Sequence, residues 1–253
     1  MLNVLRHGPD AGRPLLIAHG LFGSARNWGA VARRLSAGRP VLAVDMRNHG
    51  ASPWTATHSY PELAADLAEV IDAEGGPADV LGHSMGGKAA MALALATPAQ
   101  VGRLVVADIA PVAYGHSQMP YLEAMRALDL SGLASRGAAD ARLAGRIDDP
   151  GIRAFLLQSL DLKADPPRWR LNLPTLAREM DTILGWPDLP GRFEGPALFL
   201  SGGASDYVRP EHRETIRARF PAARFARLPG AGHWLHAERP REFADTVAAF
   251  LDG

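Results

Sequence analysis

A chain of 253 residues without a cysteine has no disulfide, no thiolate metal site and no thiol nucleophile, and it is long enough to bury a core without such staples. Its 27 basic and 27 acidic side chains balance and are mixed along the sequence, which excludes a basic stripe for nucleic acid and a polybasic run for an anionic membrane surface. Residues 1–7 show no charged leader ahead of an apolar stretch, and no apolar run is long enough to span a bilayer, so the expectation is a soluble, cytoplasmic protein.

Along the chain, apolar runs alternate with amphipathic stretches, which predicts strand–helix units around a mostly parallel sheet. The first predicted strand, 15–19, leads into a His19-Gly20 loop and a helix over 27–35. A strand at 40–45 is followed by a helix over 60–73, where Leu63, Leu67, Val70 and Ile71 recur at helical spacing and Pro61 suits the first turn. A third strand, 79–83, meets an alanine- and leucine-rich helix over 88–97, and a fourth covers 103–108. Strands at 196–201 and 224–228 and helices over 211–220 and 239–251 complete the alternation, and no internal repeat is present.

Residues 112–192 break the pattern: no strand-like run is visible there, only helical pieces rich in Ala, Leu and Arg and punctuated by prolines. Because this segment lies between two core strands, it is an insertion into one domain spanning 1–253. An insertion after a strand's C-terminal end falls over the ligand crevice of an open α/β sheet, so it is read as a helical cap. The plainer alternative is a surface decoration.

The segment Gly82-His83-Ser84-Met85-Gly86 fits G-x-S-x-G, a tight strand-to-helix turn that lifts a serine oxygen above the sheet. Side chains at the flanking glycines would collide with neighbouring backbone. At a helix N-terminus, Ser84 also faces free N–H groups and the positive end of the dipole. The motif alone is weak; a strand before it and a helix after it give it weight. A second loop, Ala18-His19-Gly20-Leu21-Phe22-Gly23-Ser24, follows a strand in the same way. Together the loops point to the backbone N–H groups of Leu21 and Met85 as an oxyanion hole. His19 is read as structural, and Phe22 as pocket wall or core.

A serine hydroxyl needs a base, and for this turn the chain order is Ser, then Asp or Glu, then His. Of the nine histidines, His116, His212, His233 and His236 follow Ser84. His233, in the loop between the last strand and the last helix, shares the sheet edge with Ser84 and is the predicted base; His236 is its structural neighbour. Two aspartates, Asp108 and Asp206, both after strand ends, satisfy the order for the acid. A G-x-x-D-x-x-V frame read from Gly202 to Val208 puts Ser205 at the acid position and Asp206 one residue late.

The two loops and Ala231-Gly232-His233 together resemble those of the α/β-hydrolase superfamily. Closer still, Asp45-Met46-Arg47-Asn48-His49-Gly50-Ala51-Ser52, Gly82-His83-Ser84-Met85-Gly86-Gly87-Lys88, Asp108-Ile109-Ala110-Pro111 and Arg168-Trp169-Arg170-Leu171-Asn172-Leu173 look like the small YbfF-type esterases, relatives of the abhydrolase-domain lipase-like proteins. The resemblance covers essentially the whole chain, cap included. It implies an α/β-hydrolase fold, a mostly parallel central sheet flanked by helices, with the helical cap inserted after the sixth strand. It further implies Asp108 as the acid, Ser205 as an auxiliary partner, and no metal or cofactor. Asp45 and Arg47 are read as loop ties, Asn48 as a residue suited to the left-handed region, and Lys88 as structural. Trp169 and Arg170 are candidates for the pocket, Trp169 alternatively for fixing the cap to the core.

The expected activity is that of a serine carboxylesterase acting on small or acyl-chain esters or thioesters through an acyl-enzyme. A serine nucleophile argues against dehalogenase and epoxide-hydrolase chemistry, which use a carboxylate there. C–C bond hydrolysis, cofactor-free perhydrolysis and a non-catalytic ligand receptor are the rival readings.

Overall fold

The computed structural model describes all 253 residues. The strands are β1 (Asn3–His7), β2 (Leu15–Ala18), β3 (Val41–Asp45), β4 (Ala78–His83), β5 (Val101–Ala107), β6 (Leu160–Asp161), β7 (Arg168–Trp169), β8 (Ala197–Gly202) and β9 (Ala223–Leu228). Seven of them form one sheet in the order β1-β3-β2-β4-β5-β8-β9, parallel except for β1, while β6 and β7 pair separately. The helices are α1 (Gly29–Leu35), α2 (Tyr60–Ala73), α3 (Met85–Ala96), α4 (Met119–Arg126), α5 (Arg136–Leu143), α6 (Pro150–Leu157), α7 (Leu173–Arg178), α8 (Met180–Leu184), α9 (His212–Arg219), α10 (Leu235–Glu238) and α11 (Pro240–Asp252).

The central strands are apolar throughout because both faces of the sheet are covered. Side chains alternate between two cores, as a period of two requires. Leu16, Val80, Leu104 and Val106 pack towards α2 and α3, whereas Leu15, Ile17, Leu81 and Val105 pack towards α1 and α11. In α11, Phe243, Val247, Phe250 and Leu251 line one face, and each buried side chain of this kind contributes about 1.5–3 kcal/mol. A capping box of Ser59 with Glu62, and Pro61 in the first turn, start α2.

Three features differ from the sequence reading. β1 is not among the predicted strands: Asn-Val-Leu-Arg-His carries two apolar side chains and is only half-buried at the sheet edge. The insertion carries helices α4–α8 and also holds the β6–β7 ladder, whose two-residue strands are too short to show alternation. It follows the fifth strand of the chain, not the sixth, since only β1–β5 precede it.

The strand order decides where chemistry can happen. β4 lies between β2 and β5, and β8 and β9 follow outward from β5. Their register aligns Ala18 with Gly82, His83 with Ala107, and Gly202 with Leu228, so the loops leaving these five strands converge at one C-terminal edge. No helix is long and apolar enough to cross a membrane.

Candidate active site

Ser84 sits at φ 51°, ψ −120° between β4 and α3, a left-handed backbone that a non-glycine residue adopts at a cost of about 1–3 kcal/mol. The glycines around it are required by close approach. A Cβ on Gly82 would lie 2.1 Å from the Gly86 carbonyl oxygen, and one on Gly86 would lie 2.3 Å from that of Ala18. The Ser84 N–H donates to the Ala107 carbonyl at 3.1 Å, fixing the turn to β5. Phe22, Asn48 and Asp108 also have positive φ, so all four non-glycine residues in that region lie in loops at this sheet edge.

The structure brings Ser84, His233 and Asp108 into one hydrogen-bonded chain. The Ser84 hydroxyl lies 3.1 Å from His233 Nε2, and His233 Nδ1 lies 2.8 Å from Asp108 Oδ2. Asp108 is an acceptor, so the ring hydrogen sits on Nδ1 and Nε2 is free to accept from the serine. Asp108 is fully buried, receives the Gly202 N–H on Oδ1 at 2.9 Å, and takes the Ser205 hydroxyl on Oδ2. Asp206 is exposed, and only its backbone carbonyl is engaged, by Arg209. Its carboxylate, one residue late in the frame, makes no hydrogen bond to His233.

Two amides remain open near Ser84. Met85 begins α3, where no preceding turn supplies a carbonyl. No backbone or side-chain acceptor takes the Leu21 N–H, whereas the next amide, of Phe22, donates to His49 Nε2 at 3.2 Å. The insertion holds the same loop from the other side, through a hydrogen bond from Ser159 Oγ to the Phe22 carbonyl at 3.0 Å.

A cavity of about 220 Å³ opens over Ser84, with Phe22 in its wall and Tyr114, Phe155 and Ile183 contributed by the insertion. Trp169 and Arg170 do not line it. Trp169 is buried inside the insertion, its Nε1–H donating to the Met125 carbonyl at 3.0 Å, and Arg170 turns to Asp161 at 2.8 Å. Trp169 belongs to the β6–β7 ladder and Arg170 directly follows it, where the chain docks on the loop after β3: the Arg170 carbonyl accepts from Gly50 N–H at 2.8 Å.

Residues 15–246 match the alpha/beta hydrolase family. The chain belongs to that family. The mouse sn-1-specific diacylglycerol lipase ABHD11 is 42% identical over 96% of this chain and 82% of its own length. Esterase YbfF of Escherichia coli is 39% identical over 94% of this chain and 93% of its own. A solved marine microorganism esterase superposes with a TM-score of 0.94 at 36% identity, covering 98% of each chain. Within the family the chain is of the esterase and lipase type.

This alpha/beta hydrolase surrounds its reactive edge with histidines, of which the sequence reading gives His19 and His236 structural roles and assigns none to His83. His83 Nε2 bonds the His233 carbonyl at 2.8 Å and steadies the base. His19 uses both ring nitrogens, one on Gly20 O and one on Met46 N, and His236 stacks on Trp28 at 4.2 Å. Burial lowers the pKa of all three, that of His236 to about 3 with help from the nearby His233, so they stay neutral at physiological pH. Tyr207 stacks on the His233 ring at 3.7 Å, another contact without a sequence signal beyond its place in the loop after β8. Asp45 and Arg47 tie loops as expected: Asp45 accepts from Ala25 and Ala51 N–H at 2.8 and 2.9 Å, and Arg47 pairs with Asp66 at 2.6 Å. Trp169→Ala is expected to cost about 3–5 kcal/mol in denaturant unfolding. Relative rates across acyl lengths should stay the same; a shifted preference would return Trp169 to the pocket.

Proposed function

We propose that this protein is a serine carboxylesterase that hydrolyses acyl esters through an acyl-enzyme. The Ser84 oxygen attacks the acyl carbon while His233 Nε2 takes its proton, and Asp108 holds the imidazolium that forms. The Leu21 and Met85 amides receive the negative charge of the tetrahedral oxygen. His233 then protonates the departing alcohol, and a water activated by the same nitrogen releases the acid. The observation that carries this reading is the unbroken hydrogen-bonded chain from Ser84 through His233 to buried Asp108. The names of the similar proteins, esterase and diacylglycerol lipase, denote the same reaction type. A fluorophosphonate probe is expected to label one serine per chain, identified as Ser84 by peptide mapping. Failure of the folded protein to react would favour a ligand-binding role.

The insertion acts as a cap whose side chains shape the acyl site. Phe155 lines the cavity and stands against Trp234, ring centroids 5.5 Å apart. Phe155→Ala should shift the preferred acyl length by admitting longer chains, changing relative kcat/KM by roughly tenfold across a panel of acyl esters and thioesters. An unchanged profile would remove the cap from substrate selection.

A further inference from the structure

Lys88 is the one cation in the cavity wall, and it has no anionic partner. It lies one turn beyond Ser84 on α3, about 6 Å along the helix axis, and its side chain is buried. The ammonium donates to the Leu184 and Gly185 carbonyls at 2.9 and 2.5 Å, at the C-terminus of α8. It also stands 4.9 Å from the Tyr114 ring and 5.5 Å from that of Tyr60. No third acceptor lies within hydrogen-bonding distance, so one of its three donors is free. The other polar groups here are occupied: Tyr60 OH donates to Ile183 O, and Tyr114 OH donates to Tyr207 O while accepting from Ala110 N–H.

The charge needs a reason. Two carbonyls and two ring faces return only part of the solvation an ammonium loses on burial, and burial pushes its pKa down to about 7. A neutral amide donor would cap α8 equally well without that cost. No aspartate or glutamate lines the cavity, and the nearest carboxylate of the site, Asp108, is committed to His233, Ser205 and Gly202. An anionic group on the ligand would supply the counter-charge that the cavity wall lacks. Lys88 is itself buried, with its ammonium held against the C-terminus of α8 and the Tyr60 ring, so it stands on the inner wall of the cavity. The alcohol departs first and must reach solvent, which leaves the inner wall to the acyl group.

We propose that Lys88 is a specificity-determining residue that pairs with a carboxylate at the far end of the acyl chain, making the substrates half-esters of α,ω-dicarboxylic acids. Water cleaves such a half-ester to the free diacid and the alcohol, with the distal carboxylate unchanged. This rests on the ester-hydrolase reading above and adds the class of acyl group.

The test compares monomethyl esters of the C4 to C8 diacids with methyl esters of the neutral fatty acids of equal length. In the wild type, the ratio of kcat/KM for carboxyl-ended over neutral substrate should peak at one chain length, because the charge must reach a fixed Nζ. Lys88→Met and Lys88→Gln should each lower that peak on the order of 10²-fold. Lys88→Gln keeps a donor for the α8 carbonyls, so a purely structural lysine would leave the ratio where it was. A flat wild-type ratio overturns the proposal without any variant. So does an undiminished peak in folded Lys88→Gln, with neutral esters still hydrolysed. Absence of hydrolysis of every ester would overturn the underlying esterase reading and this proposal with it.

Discussion

Ser84→Ala is expected to fold normally and to lose ester turnover by a factor on the order of 10⁶. The substitution removes one oxygen and leaves the turn intact, because Gly82 and Gly86 still make the close contacts that shape it. The other hydroxyls near the site are unsuited to replace it: Ser205 is held on Asp108, and Tyr114 is held between Ala110 and Tyr207. With the nucleophile gone, His233 can at best activate water. Steady-state hydrolysis of a p-nitrophenyl ester, with circular dichroism to confirm folding, reads the loss directly. Near-normal turnover in a folded, contaminant-free variant would end the serine-esterase reading.

The sheet was legible because its central strands are buried on both faces and therefore read as continuous apolar runs. β2, β3, β4, β5, β8 and β9 all have that character or lie between clear turns. β1 was not, since an edge strand with half-buried side chains has no such run, and its pairing with β3 is a tertiary choice. The β6–β7 ladder is two residues long on each side, below the length at which period two can be seen.

The candidate site was legible where backbone geometry dictates residue type. Ser84 between glycines, and a histidine in the loop after the last strand, carry their position in the sequence itself. Contacts made by side chains from distant loops leave no such mark. Trp169 illustrates this: an aromatic next to an arginine in the insertion looked equally suited to a pocket or a core, and its indole N–H found a carbonyl of α4. The stacking of Tyr207 on His233 and the grip of His49 on the Phe22 amide join residues far apart in the chain, which no local pattern encodes.

Asp108→Asn is expected to lower turnover by about 10⁴, and Asp206→Asn to change it little. Both oxygens of Asp108 accept: Oδ1 takes the Gly202 N–H, and Oδ2 takes His233 Nδ1–H together with the Ser205 hydroxyl. Asparagine has one oxygen. If that oxygen keeps Gly202, its NH₂ group faces His233 Nδ1, which must then accept, and the ring hydrogen moves to Nε2. The imidazole would then point a donor at Ser84 and could not take its proton. The buried site offers no water-filled alternative, since Asp108 is fully enclosed. Asp206 is exposed and its carboxylate makes no hydrogen bond, so its replacement touches nothing that holds the histidine. Ser205→Ala should fall between them, with a loss of roughly tenfold, because one charge-assisted bond to Asp108 disappears while the carboxylate stays. Measured kcat values of the three folded variants should rank Asp108→Asn lowest, Ser205→Ala next and Asp206→Asn nearest the wild type. If Asp206→Asn proved the crippled one and Asp108→Asn the mild one, the acid would be Asp206, and the loop after β8 would have to rearrange to reach His233.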